Sequence, residues 1–167
     1  MIIVSNTSPL TNLAAIHQFQ LLHRLYGQIY IAEGVLAELN AFGKAWPGSK
    51  EVSTASWIVS QKVQNQGLVT ALRRDLDIGE AETIALALEL KADLVFLDER
   101  DGRYAAQRLG LEVIGVIGIL LEAKSKGQIE SLKPNLDNLR QLAGFYIHDS
   151  LFQYALHLAN EFPESNE

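Results

Sequence analysis

The alternation of short apolar runs with helix-like segments constrains this chain more than any other feature. Ile2-Ile-Val4, Ile29-Tyr-Ile31, Leu94-Val-Phe-Leu97 and Val113-Ile114 read as strands, and Ser56 to Val59 reads as another short one. Helix patterns fill the gaps: Pro9 to Ile16, Phe19 to Leu25, Gly34 to Phe42, Leu68 to Leu76, Gly79 to Leu90, Gly102 to Leu109 and Gly118 to Lys126. Two more, Asn135 to Ala143 and Ser150 to Phe162, close the chain, and residues 163–167 read as a loose tail. Gly43 to Ser49, containing Trp46-Pro-Gly48, reads as a loop from its breakers. Strands separated by helices imply an α/β domain with a mainly parallel sheet and helices on both faces. The unbroken apolar run Leu94 to Leu97 suits a strand buried on both sides.

A length of 167 residues suits one domain, taken as residues 1–162, with no repeat or linker to divide it. There is no cysteine, which removes disulfides, thiolate chemistry and Cys-based zinc sites. No basic segment followed by a long apolar stretch trails Met1, so a secretory leader is not expected. No apolar run approaches the roughly 20 residues that span a bilayer. The expectation is a cytoplasmic protein without a membrane partner. A formal charge of −6, from 14 basic and 20 acidic residues, argues against a protein that coats polyanions. It leaves room for a nucleic-acid enzyme whose acidic pocket is filled by cations.

Four polar positions stand out by where they fall. Asn6 follows the first strand, Glu38 lies in the helix after the second, Glu80 opens the Ala-rich helix, and Asp98 follows the Leu94 to Leu97 strand. In a parallel sheet the carboxyl ends of strands share one edge, where sites are built. Helix-borne Glu38 and Glu80 can project toward it. Clustered carboxylates repel unless a cation holds them, and oxygen ligands without Cys suit Mg²⁺ or Mn²⁺. Each position also has a structural reading. Asn6 or Asp98 suits a helix N-cap, Glu80 suits the positive end of a helix dipole, and Glu38 suits a solvated surface. Glu82 reads as a solvated helix residue or a support for the site. His17, His23, His148 and His157 show no ligand pattern. Trp46 reads as loop packing, with base stacking as the less favoured role, and Trp57 as part of the core.

The four positions fall in segments that, taken in order, resemble the PIN-domain family. Ile3-Val-Ser-Asn-Thr-Ser-Pro-Leu10 is similar to that family's opening strand, where the residue at Asn6 is normally an aspartate. Val35-Leu-Ala-Glu-Leu39, Gly79-Glu-Ala-Glu-Thr-Ile-Ala-Leu-Ala87 and Val95-Phe-Leu-Asp-Glu-Arg100 resemble its later acidic motifs, giving Glu38, Glu80 and Asp98. The continuation through Gly115, and then Gly118 to Gly127, resembles a prokaryotic branch whose members are taken to be toxins of toxin–antitoxin pairs. The resemblance implies a three-layer, Rossmann-like α/β/α sandwich. It implies an endoribonuclease in which Asp98, Glu80 and Glu38, with Asn6 as a weak ligand and Glu99 as a possible extra one, bind Mg²⁺ or Mn²⁺. Arg100, Arg103 and Lys124 are then candidates for RNA phosphates. A small antitoxin protein is the expected partner. Leu10, Leu13, Phe19 and Leu22 offer a surface for it or for a homodimer, with core packing as the equal alternative.

The departure at Asn6 leaves several readings open. The site works with weakened metal affinity, or the domain is a degenerate one that binds RNA or protein without cutting, or the amide is a substitution that disarms a toxic nuclease. A phospho-acceptor receiver domain is disfavoured, because Ser5-Asn-Thr7 lacks the paired acids it needs.

Overall fold

The computed structural model describes residues 1–162; the expected loose tail, 163–167, lies outside the described residues. Among the described residues fifteen elements follow one another. They are β1 (Ile3–Ser5), α1 (Thr7–Ala15), α2 (Gln20–Tyr26), β2 (Ile29–Ala32), α3 (Glu33–Phe42), α4 (Ser49–Thr54), β3 (Ile58–Gln61) and α5 (Gln66–Leu72). There follow α6 (Ile78–Leu90), β4 (Leu94–Phe96), α7 (Arg100–Arg108), β5 (Val113–Ile114), α8 (Val116–Ser125), α9 (Lys133–Gln141) and α10 (Asp149–Leu158). All strand pairs are parallel, in the order β3-β2-β1-β4-β5. The α/β sandwich with a parallel sheet is therefore the observed fold.

Period-two alternation builds two cores from the same strands. Ile3, Ile29, Ile31 and Phe96 face one layer, formed with α1, α2, α3, α8, α9 and α10. Val4, Val95 and Ala32 face the other, formed with α5, α6 and α7. Because both faces are covered, the strands carry apolar residues at consecutive positions. Among the described helices α6 has the most buried residues. Ala81, Thr83, Ile84, Ala85, Leu86 and Ala87 are all buried, and its small residues let it lie close to β1, β2 and β4.

The strand order fixes where a site can form. From β1 the chain winds outward through β2 to β3, then returns to place β4 on the other side of β1. The connections leave β1 and β4 in opposite directions, so a crevice opens between them at their carboxyl ends. Their register pairs Ile3 with Leu94, Val4 with Val95 and Ser5 with Phe96. The Asn6 N–H then donates to the Phe96 carbonyl at 3.0 Å. Asn6 and Asp98 are thus brought to one edge by backbone pairing alone.

Several boundaries differ from those the sequence suggests. Helix α4 follows directly on the breakers of the 43–49 loop, because Gly48 adopts a left-handed conformation (φ 94°) that turns the chain into it. Helix α5 ends at Leu72 rather than Leu76, and α10 at Leu158 rather than Phe162. Leu10, Leu13, Phe19 and Leu22 are buried in the core beside α8 and α9, so they do not form the docking surface considered for them. Among the described residues no helix is long and apolar enough to cross a membrane.

Truncating one of these four side chains tests that placement. Leu13→Ala should lower stability by about 2–5 kcal/mol, the range for an aliphatic core truncation. The measurement is a urea melt of the isolated chain. An unchanged midpoint would return Leu13 to the surface.

Candidate functional site

Asn6 occupies the N-cap position of α1, but its side chain makes no capping bond. It is only 4% exposed, and its Oδ1 is buried without a hydrogen-bond partner. A capping role would have that oxygen accept from an N–H of the first turn. Leaving it unmet costs about 1–3 kcal/mol, so the orientation has no structural reward inside the protein.

Glu80 is partly explained by structure. Asp77 and Glu80 form a capping box at the start of α6: the Glu80 N–H donates to Asp77 Oδ1 at 2.8 Å, and the Asp77 N–H donates to Glu80 Oε1 at 3.4 Å. The other oxygen, Oε2, is buried and unpartnered. It lies against Gly102 in the first turn of α7, where a Cβ would come within 2.6 Å of it. Burial first, and then the Asp77 carboxylate, raise the Glu80 pKa to about 7, with a further push from Glu99.

Asp98 lies two residues beyond β4. It does not cap the helix that follows; instead its Oδ1 accepts from the Val116 N–H at 2.8 Å, the first residue of α8. Its Oδ2 is the third buried oxygen without a partner. Gly115 makes room for the carboxylate, since a Cβ there would stand 2.7 Å from Oδ1. Arg103 reaches over from α7 and donates to the Leu97 carbonyl at 2.9 Å. Burial raises the Asp98 pKa to about 6, against the opposing Val116 N–H, the Arg103 charge and the nearby Asn12 amide.

Glu38 is tied in from α3 by the Thr7 hydroxyl, which donates to its Oε2 at 2.9 Å. A Cβ on Gly79 would meet Glu38 Oε2 at 3.0 Å, Asn6 Oδ1 at 3.3 Å and Asp77 Oδ1 at 3.5 Å. Three side-chain oxygens from three parts of the chain therefore gather around one bare α-carbon at the head of α6. Asp77, Thr7, Asn12 and the Val116 N–H were not singled out from sequence. Only Asp77 carries a legible signal there, as the first residue of an Asp-x-x-Glu capping box.

The remaining sequence candidates separate cleanly. Glu82 turns away and accepts from the Gly34 N–H at 2.6 Å, satisfying the amino end of α3. Glu99 is exposed at the N-cap position of α7, makes no capping bond, and acts on Glu80 and Asp98 through its charge. Arg100 and Arg103 line an open depression beside Asp98. Lys124 does not reach that edge. It sits in the last turn of α8, about 12 Å along the axis from Val116, and is paired with Glu161 at 3.0 Å. Trp46 tilts against Phe42, and Trp57 packs on Phe19 and His23.

Among the described residues no three His, Cys, Asp or Glu side chains are placed to hold a metal ion by themselves. One or two carboxylates can still hold a divalent ion that keeps several of its waters, and the Asn6 amide oxygen stands near Glu38 as a further donor. The donors fit a hard divalent cation in kind: they are all oxygens, and three of them are buried with nothing to accept from. Unmet acceptors at the switch point of a parallel sheet define an α/β protein with an acidic site suited to a cation. A family model described as PIN domain matches residues 2–161, and the chain belongs to that family. PIN domains are generally nucleases and typically use divalent metals. No curated protein matches the chain.

The two raised acids imply a pH dependence. Each binds its proton more tightly folded than unfolded, so its stabilising effect is complete below the ordinary carboxylate range and is lost as pH rises through the folded value. In chelator, Glu80 and Asp98 should pull the unfolding midpoint down between about pH 4 and about pH 7, against the opposite contribution of Glu122 and Glu161, whose pKa values are lowered, so the midpoint of Glu80→Gln relative to the parent should rise with pH over that window. Urea melts of both proteins check it; a difference between them that does not change with pH contradicts the assignment.

Proposed function

We propose that this chain is a divalent-metal-dependent endoribonuclease that hydrolyses RNA phosphodiester bonds in the cytoplasm. The observation that carries the reading is the set of three buried, unpartnered oxygens on Asn6, Glu80 and Asp98 at one sheet edge. With Glu38 they are the groups that would hold Mg²⁺ or Mn²⁺. A divalent ion bound there supplies an acidified water and offsets charge on the phosphodiester.

The chain's own residues do the positioning. The Val116 N–H holds one Asp98 oxygen and leaves the other free. The Asp77 N–H does the same for Glu80, and Thr7 orients Glu38. Arg100 and Arg103, beside Asp98, are the groups that would meet RNA phosphates. Binding a cation to Glu80 and Asp98 requires them to lose the protons that burial favours, so affinity should rise with pH.

The family resemblance adds a biological role. The chain would be the toxin of a toxin–antitoxin pair, silenced by a small protein whose segment fills the acidic groove. A second reading, a non-catalytic module that binds RNA or protein, is favoured by one observation: Asn6 brings a neutral amide where an acid would add charge.

One experiment separates the two. Asn6→Asp should cleave structured RNA in Mn²⁺ faster than the parent by on the order of tenfold, equivalent to about 1.4 kcal/mol of barrier. Adding Asp98→Ala should abolish the cleavage. If Asn6→Asp cuts nothing across a broad RNA panel, the binding module is the better account.

A further inference from the structure

Helix α7 leaves the Asp98 edge and runs along the surface with a polar face that the fold does not use. Only Gly102 and Ala106 of the helix are buried. Arg100, Tyr104 and Arg108 follow one another at four-residue spacing, which stacks them on one exposed ridge. Tyr104 is 62% exposed, and the Arg108 guanidinium lies 5.6 Å from its ring centroid. Arg103 and Gln107 form the adjacent ridge. Asp98, Arg100, Asp101, Arg103, Tyr104 and Gln107 together line an open depression of about 630 Å³.

This combination has a chemistry of its own. An exposed aromatic ring flanked by guanidinium groups offers a stacking face for a nucleobase beside counter-charges for the phosphates on either side. An amide such as Gln107 presents a donor and an acceptor, which match the amine and ring nitrogen of an adenine edge. Asp101 would repel a phosphate, but it accepts well from an exocyclic amine. The depression is therefore better suited to a base than to backbone. Because Asp98 forms one wall, a base seated there lies next to the candidate catalytic edge.

We propose that this depression is a nucleobase subsite, in which an unpaired adenine stacks on Tyr104 while Gln107 and Asp101 take its amine edge and Arg100 and Arg103 meet the neighbouring phosphates. The proposal deepens the ribonuclease reading and rests on it for the identity of the polymer.

The test uses the full chain in EDTA, so that binding is read without cleavage. The probes are fluorescein-labelled single strands of about twelve nucleotides: oligo-A, oligo-U and an abasic ribose-phosphate chain. Fluorescence anisotropy should rank oligo-A above both others. Tyr104→Ala should weaken oligo-A binding about 5- to 100-fold, the loss expected for one stacked base, while leaving the abasic chain unchanged. Tyr104→Phe should retain affinity, and Gln107→Ala should narrow the gap between oligo-A and oligo-U. The subsite is overturned if Tyr104→Ala binds oligo-A like the parent, if the abasic chain binds as well as oligo-A, or if no oligomer binds.

Mn²⁺-dependent cleavage is scored separately on Asn6→Asp. Cleavage with Tyr104-indifferent binding removes the subsite and leaves the nuclease. Tyr104-dependent binding without cleavage leaves the subsite on a binding module.

Discussion

The parallel pairing of β1 with β4 is the constraint on which the rest depends. It is short, three residues on each strand, and it is continued by the Asn6 N–H to the Phe96 carbonyl. That last bond holds Asn6 at the level of the β4 carboxyl end. A slip of one residue would send either Val4 or Val95, whichever strand moved, toward the layer that holds Ile3 and Phe96, and would part Asn6 from Asp98. Both cores and the site therefore rely on one register. The reversal of winding direction at this pair is also what opens a crevice there, so the sheet topology and the location of the acidic edge are one fact seen twice.

Absent side chains then let the acids approach. Gly79 faces oxygens of Glu38, Asn6 and Asp77, Gly102 faces Glu80, and Gly115 faces Asp98 and Arg103. None of these three glycines has a positive φ, so what each contributes is space and not backbone freedom. In the two helices this has a cost, since alanine is the better helix former by about 1 kcal/mol. Three unmet buried oxygens add to it. A fold selected for stability alone would close these gaps. Keeping them open at one edge, while Glu82 and Thr83 within a turn of Gly79 each find a partner, marks that edge as the place where stability yields to another requirement.

Much of this was legible in the amino-acid sequence because it rests on periodicity and order. The strand at Leu94 announces itself by an unbroken apolar run, and α6 by its alanines. The carboxyl-edge positions of Asn6 and Asp98 follow once the sheet is parallel. What was not legible depends on side-chain direction. Glu80 and Glu82 are the same residue type two positions apart, yet one turns its free oxygen to Gly102 and the other accepts from the amino end of α3. Lys124 is drawn to Glu161, which is 37 residues away in sequence. Leu10, Leu13, Phe19 and Leu22 could be placed in the core only once α8 and α9 were known to cover them. The link from Asp98 to Val116 spans 18 residues and follows only from β5 lying beside β4.

The amide at Asn6 fits this balance in a specific way. Glu80 and Asp98 already hold their protons well above the ordinary carboxylate range, mainly through burial. A fourth carboxylate at the Asn6 position would face Glu38 across Gly79 and add repulsion to a group that is already desolvated. An amide there keeps an oxygen in the same place while removing one negative charge. It lessens the self-repulsion of the acids when no cation is bound, and by the same charge it lessens their attraction for one. The two effects share one origin and cannot be separated by moving the side chain. On the proposed metal-dependent reading, residue 6 therefore sets how far the site trades cation affinity against the stability of the metal-free fold.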